Sequence, residues 1–229
     1  MNILALDTSM GACSAAVLCA EGNARRLHAR YAEMMRGHAE ALMPMVEAVM
    51  AEAEIGPDDL DVIAATVGPG SFTGVRIAIA AARGLALVTK AKLFGTDSLT
   101  VMARVALQQE TAPNGPFAIA ADARRGMLYL GLYDAAGTRI EGPLLIAPDD
   151  AIALLPDGLH LAASSGADLL ATAATAKGRQ IEAVLPDLQP SAAALAEIAL
   201  GTRETSPTLR PLYLRPPDAK PQAQTVERR

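Results

Sequence analysis

Three stretches of this chain bring together residue types able to bind a charged ligand. Ile3-Leu4-Ala5-Leu6-Asp7-Thr8-Ser9 delivers one carboxylate and two hydroxyls to the end of an apolar run. Such a set can orient a phosphate or a metal-bound nucleotide, because an acid near phosphate works through a divalent cation. The same groups can instead close a turn on backbone N–H groups. Gly68-Pro69-Gly70-Ser71-Phe72-Thr73-Gly74-Val75-Arg76 sets a glycine-rich turn between an apolar run and an alanine-rich helical pattern. That junction can hold an anion at a helix N-terminus or fix a close backbone contact, with Ser71 or Thr73 as the helix cap. It is neither a Walker A loop, having no Gly-Lys-Ser/Thr ending, nor a GxGxxG fingerprint. Asp122-Ala123-Arg124-Arg125 puts opposite charges within one turn, so that Arg124 reads as an anion ligand across a cleft or as a partner in a local charge-assisted turn. Asp7, Thr8, Ser9, Asp122 and Arg124 are therefore the candidate nucleotide-binding residues. A weaker strand-to-helix junction, Ala162 to Asp168, can skirt an adenosine or simply cap and pack.

Other reactive side chains assemble into nothing comparable. No GxSxG elbow nominates a serine, and His28, His38 and His160 lack the sequence context of a catalytic base. His38 is expected to make a contact at a helix start. Cys13 and Cys19 have no CxxC spacing and read as reduced core residues, and no metal site is expected.

With 229 residues, 51% hydrophobic and 20% charged, the chain is long and apolar enough for one large domain or two small lobes. It has no tryptophan and only three phenylalanines, so the core must come from close packing of small side chains, and platforms for stacking bases are scarce. A net charge of −5 disfavours unaided, tight nucleic-acid binding, although it leaves room for a local basic patch. No stretch approaches the roughly 20 uninterrupted apolar residues that span a bilayer, and the N-terminus has no signal-peptide pattern; the expected location is cytoplasmic.

These residues need elements to position them. Ile3 to Asp7, Cys13 to Cys19 and Arg25 to Tyr31 read as a three-stranded meander. From His38 to Ala53 the apolar spacing predicts a helix, with Pro44 expected to bend it or delay its start. Asp61 to Val67 reads as a buried strand and the segment after the glycine turn as a helix to about Val88. Within it Gly74, Ala78, Ala81, Ala82 and Leu85 make a small-residue face suited to close helix contact, inside the chain or with a partner. Arg76, Arg83 and Lys90 form a basic band. Lys92 to Phe94 and Ser98 to Gln108 add a strand and a helix. Thr111 to Pro116 marks a lobe boundary, beyond which Phe117 to Ala121 and Met127 to Tyr133 read as strands of a second sheet. Further on come a helix around Asp150 to Leu155, a strand around Leu159 to Ala163, and helices at Gly166 to Thr175 and Ser191 to Leu200. The proline-rich Ser206 to Pro217 segment is expected to run as an extended strap, with a loose tail from Pro216. The division is 1–110, 111–205 and 206–229, and no repeat array is evident.

Taken together, LALDTS at Leu4 to Ser9, His38-Ala39-Glu40, GPGSFTGVRI at Gly68 to Ile77, FGTDSL at Phe94 to Leu99, AADAR at Ala120 to Arg124 and PLYLR at Pro211 to Arg215 resemble the TsaB (YeaZ) family, over nearly the whole chain. The resemblance implies an α/β, two-lobed actin-like fold of the sugar kinase and Hsp70 superfamily, each lobe a mixed sheet packed with helices. It implies a noncatalytic role beside a TsaD-like transferase and a TsaE-like ATPase in forming threonylcarbamoyladenosine at position 37 of tRNAs that read codons beginning with adenine. The catalytic relative carries an HxxxH metal motif after its glycine-rich turn, where this chain reads Phe94-Gly95-Thr96-Asp97-Ser98-Leu99, without a histidine pair. The resemblance further implies a homodimer when the chain is alone, tRNA contact through the complex, no required cofactor, and a weak or empty nucleotide cleft at Asp7, Thr8, Ser9, Asp122 and Arg124. Its N-terminal lobe supplies partner contacts, which makes His38, Gly68, Gly70, Gly74, Arg76, Ala78 and Ala82 the structural or interface candidates. The alternative is an ATP-dependent small-molecule kinase or another nucleotide-binding enzyme of the superfamily.

Overall fold

A computed structural model describes residues 1–202 and 205–215. The tail expected from Pro216 lies outside them. Two five-stranded sheets carry the architecture. The first consists of β1 (Asn2–Asp7), β2 (Ala12–Glu21), β3 (Ala24–Glu33), β4 (Val62–Thr66) and β5 (Lys92–Thr96), in the order β3-β2-β1-β4-β5. The β1–β2 and β2–β3 pairs are antiparallel, and β4 and β5 join in parallel. The second sheet repeats this plan with β6 (Phe117–Asp122), β7 (Leu128–Tyr133), β8 (Arg139–Ile146), β9 (Leu161–Ala163) and β10 (Glu182–Val184), in the order β10-β9-β6-β7-β8. Here too the first three strands are antiparallel and the last two parallel. The repeat is one of topology, and no sequence period reveals it.

Sequence spacing accounts for which helix covers which face. The helix α1 (His38–Ala53) buries Leu42, Val46, Val49 and Ala53 against the first sheet. It begins at His38 and runs through Pro44, so the expected delay does not occur: burial on both sides of the proline outweighs the single backbone hydrogen bond it removes. The helix α2 (Phe72–Thr89) buries Gly74, Val75, Ala78, Ile79 and Ala82 in the same core. By length and mean hydropathy, 1.4, it resembles a membrane-crossing helix, yet that stripe packs on β4 and β1.

The helices α3 (Ser98–Ala106) and α6 (Ala192–Gly201) exchange partners between the lobes. Leu99, Met102, Ala103 and Ala106 of α3 pack with Phe117, Ile119 and Tyr133 of the second sheet. Ala192, Ala194, Leu195, Ala196 and Ala199 of α6 pack with Ile3, Ala5, Ala16 and Ala64 of the first. The 111–205 segment therefore contains a helix whose core is that of the first lobe. The remaining face of the second sheet is covered by α4 (Pro148–Ala151), a single 3-10 turn, and α5 (Ala167–Ala176). The strap runs extended across the first lobe: Ser206 N–H donates to the Leu93 carbonyl at 2.7 Å, Leu209 is buried, and Leu212 N–H donates to the Val67 carbonyl at 2.6 Å.

Candidate functional site

Asp7 ends β1, and with Thr8 and Ser9 it is completely buried. Its Oδ1 accepts bonds from the Thr66 hydroxyl, from the Ser9 hydroxyl at 2.7 Å and from the Ser9 N–H at 3.3 Å. The Ser98 hydroxyl in turn donates to Ser9 Oγ at 2.9 Å, so the C-terminal end of β4 and the first residue of α3 both meet the tip of β1. Asp7 Oδ2 has no hydrogen-bond partner among the described residues. Burial pushes the carboxyl up to about 6 against the opposing pull of those three bonds, because a carboxylate loses its hydration there. Burial, followed by the Asp7 charge, also raises the Cys13 thiol to about 11, consistent with an unreactive core cysteine.

The glycine-rich turn closes onto this tip. Ser71 N–H donates to the Ser9 carbonyl at 2.7 Å, and Ser71 Oγ caps α2 by accepting from Gly74 N–H at 3.3 Å. The Thr8 hydroxyl donates to the Gly74 carbonyl at 2.6 Å and accepts from Ala78 N–H at 3.1 Å. A Cβ on Gly70 would sit 2.1 Å from the Ser9 carbonyl oxygen, and one on Gly74 would sit 2.0 Å from that of Thr8. Gly68 takes a left-handed φ of 98°, and its carbonyl receives Ser98 N–H at 2.8 Å. Thus the glycines serve close backbone approach. As a phosphate cradle this half of the cleft does not fit: the Thr8 and Ser9 backbone fills the space beside Gly70 and Gly74, Ser71 N–H is spent on the Ser9 carbonyl, and the Asp7 carboxyl is completely buried.

Asp122 and Arg124 resolve as the local turn. Asp122 Oδ1 accepts from Arg124 N–H at 2.7 Å and Oδ2 from Arg124 Nη1 at 3.3 Å, while Asp122 N–H donates to Ser165 Oγ at 3.0 Å. The Arg124 side chain is 79% exposed. The bonds of this pair and those of the Asp7 cluster close separately, so the five candidate residues form two groups rather than one.

Among the remaining candidates, His38 Nε2 lies 3.2 Å from the Met10 carbonyl, the expected helix-start contact. Ala78 and Ala82 are buried in this chain's own core, the contact inside the chain that their small-residue face allows. Arg76 is exposed, its guanidinium 3.5 Å from the Phe72 ring centroid and its Nε donating to Tyr213 Oη at 2.7 Å. Sequence reasoning misses Thr66 and Ser98 as members of the Asp7 cluster, although each ends or follows a strand of the β1 sheet. It also misses an interlobe link: Asp97, 5% exposed, caps α3 through Thr100 N–H at 2.9 Å and accepts Arg139 Nη1 of β8 at 2.7 Å. Among the described residues no three His, Cys, Asp or Glu side chains converge as a metal-ligand set.

Residues 24–200 match the profile of the TsaD family, tRNA N6-adenosine threonylcarbamoyltransferase. The chain is 37% identical over 133 residues to the tRNA threonylcarbamoyladenosine biosynthesis protein TsaB of Escherichia coli K12, a match covering 58% of this chain and 55% of that protein. It is 36% identical over 129 residues to the TsaB of Haemophilus influenzae, covering 56% and 52% respectively. The match thus spans little more than half the length of these curated relatives. A solved structure of YeaZ from Pseudomonas aeruginosa is 30% identical and superposes with a TM-score of 0.76, covering 93% of this chain and 99% of that one. Two mixed sheets with exchanged helices make the actin-like, two-lobed architecture. On that fold and on these matches, the chain belongs to the TsaB/YeaZ group of the tRNA N6-adenosine threonylcarbamoyltransferase (TsaD) family.

Proposed function

We propose that this chain is the noncatalytic, activating partner of a TsaD-like transferase, supporting transfer of a threonylcarbamoyl group to adenosine 37 of tRNAs that read codons beginning with adenine. The observation that carries this reading is the closed tip of β1: Asp7, Thr8 and Ser9 are completely buried, and the glycine-rich turn packs directly against the backbone of Thr8 and Ser9. A fold that keeps its cleft topology but fills the cleft with itself retains the value of its surface. That surface includes Leu87 and Val88 at the end of α2, 85% and 72% exposed, neighbouring apolar side chains suited to a partner's contact. The same surface serves a homodimer when the chain is alone, a TsaE-like ATPase joins the assembled complex, and the work is cytoplasmic. No cofactor is required by this subunit, and any nucleotide binding is weak.

The test is threonylcarbamoyladenosine formation on unmodified tRNA with matched TsaD, TsaE and threonylcarbamoyl-adenylate synthase, with and without this chain, and with this chain but no TsaD. Product that needs both proteins supports the reading. TsaD-independent product assigns catalysis to this chain, and undiminished product without it removes the proposed requirement. Saturable, substrate-dependent ATP turnover by the chain alone would instead favour a kinase.

A further inference from the structure

The chain has few aromatic rings, yet two of them stack in the open. Phe72 and Tyr213, 44% and 42% exposed, lie with ring centroids 5.3 Å apart and planes inclined by 26°. The other stacked pair among the described residues, Phe117 and Tyr133, is fully buried and explained by core packing. The Arg76 guanidinium covers the Phe72 ring and is fixed through Nε by Tyr213 Oη. Two residues beyond Tyr213, Arg215 crosses to the second lobe, where its Nη2 donates to the Arg124 carbonyl at 3.3 Å. The Arg124 side chain projects into solvent with one acidic partner, Asp122. Three arginines and an exposed ring pair therefore follow the strap from α2 to the β6–β7 turn, in a chain whose net charge is −5. Rings beside guanidinium groups suit unstacked bases and their phosphates, whereas a duplex hides its base faces.

We propose that this strap surface contacts a looped, single-stranded segment of RNA. Its choice of RNA rests on the tRNA-modification reading above; its location rests on the rings and arginines alone. The probe is a fluorescein-labelled, unmodified tRNA anticodon stem-loop, and the comparison is the same sequence annealed to its full complement. Anisotropy titrations use the full chain at 50 and 150 mM KCl. The stem-loop is expected to bind more tightly than the duplex. Tyr213→Ala is expected to weaken stem-loop binding roughly tenfold, the loss of one stacked base. Arg215→Glu, which keeps the ring stack, is expected to weaken it by a similar factor. It should also make the slope of log affinity against log salt shallower by about 0.7 for each phosphate that Arg215 neutralises. Since Tyr213→Ala also loosens the strap, Arg215→Glu with an unchanged unfolding midpoint is the deciding variant.

No binding, equal affinity for the duplex, or indifference to Arg215→Glu overturns the proposal. Displacement by a polyglutamate peptide as effective as that by unlabelled stem-loop also overturns it, and assigns the surface to an acidic protein partner. Stem-loop binding as stated, together with tRNA modification that proceeds without this chain, would sink the functional reading and leave the RNA surface standing. The reverse result would sink the surface alone.

Discussion

Both lobes use one strand order, so Asp7 and Asp122 occupy matching places at the ends of their central strands, β1 and β6. Their fates are opposite. Asp7 is completely buried under a glycine turn and, among the described residues, holds three hydrogen bonds on one oxygen and none on the other. Asp122 closes a solvent-facing turn with Arg124 and receives the hydroxyl-bearing turn after β9 only as far as its own N–H, through Ser165. The difference lies in the turns packed above each acid. Gly70 and Gly74 let the β4–α2 turn descend onto Thr8 and Ser9, while Gly166 at the matching place brings its N–H to the Ala120 carbonyl, earlier in β6. Equivalent topology thus does not give equivalent chemistry; the approach distance of a neighbouring backbone decides whether a strand-end acid faces ligand or core.

The comparison can be broken most forcefully at Gly74. Gly74→Ala places a Cβ against the Thr8 carbonyl, and the backbone on both sides is packed, so a loss of about 4 kcal/mol or more is expected in chemical denaturation. Tolerance of that change would mean the turn stands away from β1. The next effect is a pH dependence. Since the folded Asp7 carboxyl sits near 6 rather than 3.8, the folded state binds more protons between those values. Stability is therefore fully present below about pH 4 and lost as pH rises through about 6, by about 3 kcal/mol. Asp7→Asn should flatten that profile, and a profile unchanged in the variant would assign the titration to another group. Thr66→Val removes a donor from Asp7 Oδ1 and should cost about 1–3 kcal/mol. Because that donor holds the carboxyl down, the pH-linked loss should also extend to higher pH. At the other end of the scale, Asp122→Ala should change stability by only about 0.5 kcal/mol, because Arg124 is exposed and the pair is solvated. A larger effect would mean the second-lobe turn is as tightly packed as the first.

Periodicity makes much of the fold legible. The meander of β1 to β3, the helix from His38, the strand that ends at Tyr133 and the Ser71 cap all stand where spacing and capping chemistry put them. The strand β8 escapes sequence reading because Gly142-Pro143 looks like a break, though an edge strand tolerates proline. The strand β10 has only three residues and too little pattern to register. The exchange of α3 and α6 is invisible for a different reason: an apolar face shows that a helix packs, and its spacing does not say which sheet it covers. At the site, the types Asp7, Thr8, Ser9 and Gly74 are recognisable, but whether a glycine admits a phosphate or a carbonyl oxygen is a matter of tertiary distance. Ala78 and Ala82 show the same limit, since a small-residue stripe looks alike whether it meets a sheet or a second chain.

The placement of α6 also governs the order of synthesis. Ala192 N–H donates to Ser14 Oγ at 2.9 Å, and Gln189 Oε1 receives Gly11 N–H at 2.8 Å, each across 178 residues of chain. At about 5–20 residues per second, β1 and β2 leave the ribosome many seconds before the helix that covers their second face. During that interval Ile3, Ala5 and Ala16 lack the cover of α6, so the second face of the first sheet closes only once synthesis has passed Gly201.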